Sequence, residues 1–400
     1  MTLPPQLMTL QHIVDPYSYY NHLRLRDPVH WNPSAQLWTL TRYADVVAGL
    51  ECPRLSSQRP QPNLSHFGEE MRQAACSVYD ALLPWLLRSD PPVHTRLREL
   101  VSRVFTPRLV ESRRPGVQRI VDRLLDTVTP CGQMDFIGDF AAPLALSVIA
   151  DLIGIPQQDH SQFQQWCHEL SQLTEHEPEP RRIAQAHASL CSVRDYFADL
   201  LDSRRRQDND DLLSGFLRAE VRGDHLSEAE ILAMSALLLL AGHDTITHLL
   251  ANGVLALLQS PGQCKLVKET PSLIEPAVQE LLRYDSPLQG LLRIATHDIE
   301  FGAKRIERGQ KVLLWLGAAN RDLAQFHEPD RLDVARKMNR HVAFGFGIHR
   351  CVGAPLGLLT VETAIRTLLT RAPRLRLATQ FVAWEGNLLF RNQQSLPVLF

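Results

Sequence analysis

Phe344-Gly345-Phe346-Gly347-Ile348-His349-Arg350-Cys351-Val352-Gly353 places three glycines in ten residues and presents one cysteine close to the C-terminus. Glycine serves where a backbone must turn tightly or come close to a bulky group, and this loop runs into an apolar helix, a setting that suits a flat cofactor. A structural zinc site needs about four ligands and an iron–sulfur cluster usually needs about four cysteines. A single cysteine without a CxxC partner meets neither requirement, whereas haem takes one or two axial ligands. On these residues alone, a buried thiol in an ordinary glycine-rich loop remains an equal reading.

Upstream, Ser227-Glu228-Ala229-Glu230 fits a capping box, and apolar periodicity then predicts a helix over 227–260 that stops at Pro261-Gly262. Such a helix is about 33 residues and roughly 50 Å long. Its longest apolar run, 231–241, falls short of the roughly 20 residues a membrane span requires, so a buried helix is expected. Within it, Ala241-Gly242-His243-Asp244-Thr245 sets small residues, an acid and a hydroxyl among apolar neighbours. A buried carboxylate must be paired, hydrated or protonated, and a mid-helix threonine can bond back to the carbonyl four residues earlier and open a bend. A polar helix face packed on another helix accounts for the same residues.

Two more pairs carry charge at helical spacing. Glu280 and Arg283 are three apart on a helix predicted from near Ser272 to before Pro287, and an exposed pair of that kind contributes little. Asp90-Pro91-Pro92-Val93-His94-Thr95-Arg96-Leu97-Arg98 opens another helix, with His94 and Arg98 on one face, where two cations suit an anion.

Taken together, these segments resemble the cytochrome P450 family. The cysteine loop matches its haem-ligand signature at Phe344, Gly345, Gly347, His349, Cys351 and Gly353; residues 241–245 are similar to its oxygen-binding motif; and Glu280 with Arg283 matches its ExxR pair. Arg331, in Phe326-His327-Glu328-Pro329-Asp330-Arg331, matches the place of the arginine that joins that pair. The resemblance runs from about Asp90 to 395–398 and is nearest to soluble bacterial members that act on secondary metabolites.

That resemblance implies a mainly α fold with small β-sheets, one domain over 1–400, and haem b (iron protoporphyrin IX) between the long central helix and the cysteine loop. Cys351 is implied as the axial thiolate. His94, Arg98, Arg293 and His349 are implied at the haem propionates, and Phe344, Gly345, Ala241 and Gly242 along the cofactor. Thr245 and Asp244 would manage water and protons, and Glu280, Arg283 and Arg331 would hold the proximal side. The implied activity is monooxygenation of a lipophilic small molecule with dioxygen, by hydroxylation, epoxidation or a related oxidation. No flavin or nicotinamide domain is visible, so electrons are expected from a ferredoxin and its reductase docking near Cys351 and Arg350. The family usually has Leu-Ala-Arg where this chain has Leu356-Gly357-Leu358; glycine costs about 1 kcal/mol of helix propensity against alanine, and the leucine removes a cation, which bears on that docking. A peroxide-driven haem enzyme and a noncatalytic recruitment module are the alternative readings, and an intact Asp244-Thr245 weighs against the first.

Composition agrees with an ordinary enzyme. The 400 residues are 44% hydrophobic and 22% charged, with a net charge of −2 that argues against wholesale nucleic-acid binding. Seven scattered cysteines without metal spacing read as reduced thiols, and the N-terminus carries no signal-peptide pattern, so a cytoplasmic monomer without a membrane anchor is expected. Local patterns predict a helix over 16–26, a hairpin from 29–31 and 37–40, an irregular segment over 53–68, a helical middle over 92–282 and short strands at 299–301, 304–306 and 311–315. Substrate contacts are expected before residue 90 and at 164–180, 237–241, 288–292 and 388–390.

Overall fold

The computed structural model describes residues 9–58, 64, 65, 67–81, 86–175, 179–207, 209–379 and 381–400. It consists of two compact units, neither continuous in sequence. One joins Ser57–Arg113 to Leu146–His243, and the other joins Leu3–Ser56, Arg114–Ala145 and Asp244–Phe400.

The first unit is helical. Helix Pro180–Arg206 packs along both His160–Glu175 and Glu69–Ala81, burying Ile183, Val193, Phe197 and Leu201. Pro180 opens it at a position where a missing N–H costs nothing, and Arg204, Arg205 and Arg206 close it, cations at the negative end of the helix dipole. Arg204 then fastens the next helix, Leu212–Arg218, by pairing with its N-cap Asp211 at 2.5 Å and donating to the Gly154 carbonyl at 2.8 Å. Helix Val93–Val104 buries His94, Leu97, Leu100 and Val101. A two-residue hairpin pairs Glu220–Val221 with Asp224–His225 and had no sequence expectation. Its turn residues Arg222 and Gly223 have φ of 55° and 81°, the left-handed pair that matches the twist of tight hairpins.

The second unit contains the sheets. The strand Lys311–Trp315, an apolar run buried along nearly its whole length, lies parallel to Leu37–Leu40 and antiparallel to Gly290–Ala295. Val29–Asn32 and Leu55–Ser56 complete a five-stranded sheet on either side. Val29, Leu40, Val46, Leu50, Leu55, Ala295, Val312, Leu314 and Leu316 form the apolar core beside it. The predicted hairpin pairs in register, Val29 opposite Leu40. The segment read as irregular supplies strand Leu55–Ser56, and part of it, 59–63 and 66, lies outside the described residues. The short strands Ile299–Phe301 and Lys304–Ile306 pair with each other, and Arg376–Leu377, Pro397–Leu399 and Gln133–Asp135 form a third small sheet.

The long helix spans Glu228–Gln259, 32 residues, and leaves the first unit at His243 to enter the second at Asp244. Its start is a reciprocal capping box: Glu230 N donates to Ser227 Oγ at 3.3 Å, and Ser227 N donates to Glu230 Oε2 at 2.8 Å. Counted through its polar centre, this helix and Phe136–Ile153 are long and apolar enough to cross a bilayer, contrary to the expectation drawn from the run 231–241 alone; core helices meet the same criterion.

Candidate active site

In the second unit the cysteine loop is fixed by its own backbone. Gly345 N donates to Val342 O at 2.8 Å, Arg350 N to Gly347 O at 3.1 Å, and Cys351 N to Phe344 O at 2.8 Å. Gly345 and Gly347 both hold φ of +70°, a conformation that strains other residues, and a Cβ at Gly347 would stand 3.4 Å from the Leu50 carbonyl. Cys351 is exposed and lies just before helix Ala354–Arg371, whose positive N-terminal end favours a thiolate. His349 sits in the one-turn helix Gly347–His349, and the Arg293 side chain, buried on strand Gly290–Ala295, donates to the Leu292 carbonyl at 2.9 Å.

The same unit holds an ion network centred on a fully buried pair. Arg283 grips Glu280 with two bonds, Nε to Oε2 at 2.7 Å and Nη2 to Oε1 at 2.9 Å, and both side chains have 0% exposure. Arg283 Nη1 also donates to the carbonyls of Asn320 and Pro329, each at 2.8 Å. The remaining lone pairs of Glu280 accept from Asp333 N at 2.9 Å, Asn339 Nδ2 at 3.2 Å and Arg336 Nε at 3.0 Å. A buried pair that is hydrogen-bonded on all sides avoids the desolvation penalty that an isolated one would carry.

The third arginine is therefore Arg336, which corrects the expectation for Arg331. The Arg331 side chain is 67% exposed and pairs with Glu328; it meets the network through its carbonyl, which accepts from Arg283 Nη2 at 3.3 Å. Arg336 lies five residues farther along, with its guanidinium 9% exposed and also bonded to the His327 carbonyl at 2.8 Å.

His341 was absent from the sequence expectations. Its Nδ1 accepts from Ala343 N at 3.2 Å, its Nε2 lies 2.8 Å from Gln279 Oε1, and its ring leans on Phe344 at 5.9 Å. Burial, with the positive charges of Arg283 and Arg350, pushes its pKa down to about 4, so it is neutral at physiological pH and donates to Gln279.

The long helix presents a local accessible stripe. Ala241 is exposed and Leu238, Asp244, Thr245 and His248 are half-buried, while Ile246, Thr247, Leu249, Leu250 and Ala251 are buried. Leu238, Ala241, Thr245 and His248 recur at helical spacing and so share one face. The His248 ring meets Phe390 edge-on at 6.3 Å, and Phe390 forms a β-bridge with Leu288, which brings the segments 288–292 and 388–390 together. Of the segment 164–180, residues 176–178 lie outside the described residues.

In the first unit, a Cβ at Gly242 would stand 2.3 Å from Ile149 Cδ1, so this glycine serves close helix packing and could reach a cofactor through its backbone only. His94 is 2% exposed; burial and the neighbouring Arg98 charge lower its pKa, against the opposing pull of Asp90. The face of His94 and Arg98 thus offers one cation and one neutral imidazole at physiological pH, where two cations were expected.

Among the described residues no three or more His, Cys, Asp and Glu side chains converge as a metal site. An accessible single thiolate donor, basic residues and a local accessible helix stripe fit a haem better than a multidentate metal centre. Residues 85–372 match the family model described as Cytochrome P450. The chain belongs to the cytochrome P450 family. It is 39% identical over 384 residues to Cytochrome P450 CYP107DY1 of Priestia megaterium, covering 94% of this chain and 92% of that one. It is 37% identical over 410 residues to the 6-deoxyerythronolide B hydroxylase of Saccharopolyspora erythraea, covering 100% and 99%. Among solved structures, P450BioI in complex with hexadec-9Z-enoic acid ligated acyl carrier protein superposes with a TM-score of 0.89 at 36% identity, covering 98% of this chain and 100% of that one. The mainly helical fold with small sheets, the monooxygenase class and the haem cofactor implied by the cysteine loop follow from this membership.

Proposed function

We propose that this P450 oxidises a bulky lipophilic molecule of secondary metabolism in the cytoplasm, as a monomer, with haem b as its cofactor and electrons from a ferredoxin and its reductase. The observation that carries the reading is the exposed Cys351 thiol, held by the Phe344 carbonyl bond and two left-handed glycines before a helix N-terminus. When bound, haem supplies the dioxygen chemistry, and the chain supplies position, protons and electrostatics. Cys351 Sγ is the ligand. His94, Arg98, Arg293 and His349 hold the carboxylates. Asp244 and Thr245 hold a proton and a water on the accessible face of the long helix. Phe344, Gly345, Ala241 and the Gly242 backbone would border the cofactor, and the Glu280, Arg283 and Arg336 network supports the cysteine loop.

A single catalytic domain is supported by the connectivity: the chain changes unit after Ser56, Arg113, Ala145 and His243, the last two each within one helix. The exposed Arg350 beside Cys351 and the exposed Lys337 and Arg340 support an acidic electron donor. Relatives described as a polyketide biosynthesis P450 and as the 6-deoxyerythronolide B hydroxylase favour large lipophilic substrates.

The test is a spin-shift screen of the haem-loaded protein against polyketide lactones, free long-chain fatty acids and the same acids on acyl carrier protein, beside Cys351→Ser. The wild type is expected to give a thiolate-type spectrum for its reduced carbon monoxide complex and a saturable shift with at least one class. An unchanged carbon monoxide spectrum in Cys351→Ser would refute the ligand assignment. Turnover with peroxide and none with any ferredoxin would replace the electron-transfer part by the peroxide-driven alternative.

A further inference from the structure

Helix Val93–Val104 carries a third basic residue that the active-site reading leaves unused. Arg96 Nε donates to Asp224 Oδ2 at 2.5 Å and Nη2 to Asp224 Oδ1 at 3.0 Å, a bidentate grip. Nη1 donates to Glu230 Oε1 at 2.5 Å, and Nη2 also reaches the His225 carbonyl at 2.8 Å. Two residues along a helix is a rotation of about 200°, so Arg96 points away from the face shared by His94 and Arg98.

Both acceptors sit on stiff supports. Asp224 projects from the two-residue hairpin whose turn residues, Arg222 and Gly223, are both left-handed. Glu230 is the acid of the capping box: one carboxylate oxygen accepts from Ser227 N, and the other takes Arg96. One guanidinium therefore joins three pieces of the first unit: the back of the His94 and Arg98 helix, the hairpin, and the first turn of the long helix. The grip uses Nε, Nη1 and Nη2 in fixed directions, a geometry that the single ammonium of lysine does not reproduce. The side chains of Arg96 and Asp224 are 36% and 46% exposed, so dissolved ions reach the clamp.

We infer that Arg96 is a positioning residue. By pinning the back of its helix it sets the rotation at which His94 and Arg98 are presented, and through them it governs how tightly the haem carboxylates are retained. The inference rests on the reading of His94 and Arg98 as haem-carboxylate residues, which Arg98→Gln tests separately.

The experiment follows transfer of haem from the loaded, full-length protein to apomyoglobin at about 50 mM and about 500 mM salt. Arg96→Gln is expected to lose haem about tenfold faster at low salt, the effect of roughly one charged hydrogen bond, and Arg96→Lys about threefold faster. High salt should accelerate loss from the wild type more than from Arg96→Gln, which lacks the clamp. Because Arg96 acts through His94 and Arg98 together, haem loss from Arg96→Gln/Arg98→Gln is accelerated by less than the product of the two single effects. Asp224→Asn, at the hairpin surface, reads the same clamp should Arg96→Gln not fold. Wild-type retention in both Arg96→Gln and Asp224→Asn overturns the inference, as do losses that multiply in the double variant. Wild-type retention in Arg98→Gln removes the carboxylate reading and the inference with it.

Discussion

Replacing Arg336 and Arg331 separately by alanine distinguishes the two candidates for the third arginine of the buried network. Arg336 gives Glu280 a charged bond of 3.0 Å in a site where the carboxylate is fully buried, and gives the His327 carbonyl one of 2.8 Å. A charged hydrogen bond contributes about 1.5–3 kcal/mol and a neutral one about 1, while contacts at 3.4 Å add little. Arg283 still neutralises Glu280 in the variant, so Arg336→Ala is expected to cost about 3 kcal/mol. Arg331 loses an exposed pair with Glu328, worth less than about 1 kcal/mol, and keeps the carbonyl that Arg283 uses. Urea unfolding of the haem-loaded variants, followed by Soret absorbance and far-ultraviolet circular dichroism, measures both. Equal destabilisation by the two substitutions, or a larger effect at Arg331, would refute the assignment.

Thr245→Ala should raise peroxide released per electron consumed several-fold once a reducing system is supplied, and unchanged coupling would remove the proton-handling role from Thr245. Gly357 sits in helix Ala354–Arg371 with nothing within 4 Å of the place a Cβ would occupy, so Gly357→Ala should stabilise by about 1 kcal/mol of helix propensity; a loss in the unfolding midpoint would contradict that. His341 titrates near 4 in the folded chain against 6.5 when unperturbed, so as pH falls the unfolded chain takes up the proton first. Its contribution is complete above about pH 6.5 and declines by roughly 2–3 kcal/mol towards pH 4, and His341→Gln should flatten that part of the stability profile. Identical slopes for wild type and variant between those limits would rule out His341 as the source.

The parts legible in the sequence are those specified by neighbours. Ser227 and Glu230 announce a helix start because both halves of the capping box lie within one turn. The hairpin at 29–40 shows because its strands and turn are contiguous, and the cysteine loop because its glycines and its ligand are. Pairings made across the chain leave no such trace. Nothing local joins Leu37–Leu40 to Lys311–Trp315, or Gln133–Asp135 to Pro397–Leu399. Arg331 and Arg336 both lie in a loop without periodicity, so spacing could not decide which would reach Glu280. By spacing alone Glu280 and Arg283 read as an exposed pair of little value, their structural role being implied only by the family resemblance, and burial among carbonyls from 320–331 gives them their weight. The Arg222-Gly223 turn offered only its glycine as a signal, arginine being uncommon in a left-handed position, and its strands are too short to show alternation.

Strands from residues 29–56 share one sheet with strands from 290–315, and this fixes an order on the ribosome. At about 5–20 residues per second, Lys311–Trp315 and Gly290–Ala295, the partners of Leu37–Leu40 and Leu55–Ser56, emerge roughly 10–55 s after them, whereas Val29–Asn32 meets Leu37–Leu40 within about 2 s. The early strands must wait with open edges, and Asn32-Pro33 and the short two-residue strand Leu55–Ser56 limit what those edges can capture meanwhile. The first unit is complete at His243, and the wait of Glu69–Ala81 for Pro180–Arg206 within it is shorter, roughly 5–20 s. Nascent chains should therefore carry a formed His94 and Arg98 helix well before Cys351 is made, and the prosthetic group can be locked in only after translation is almost finished.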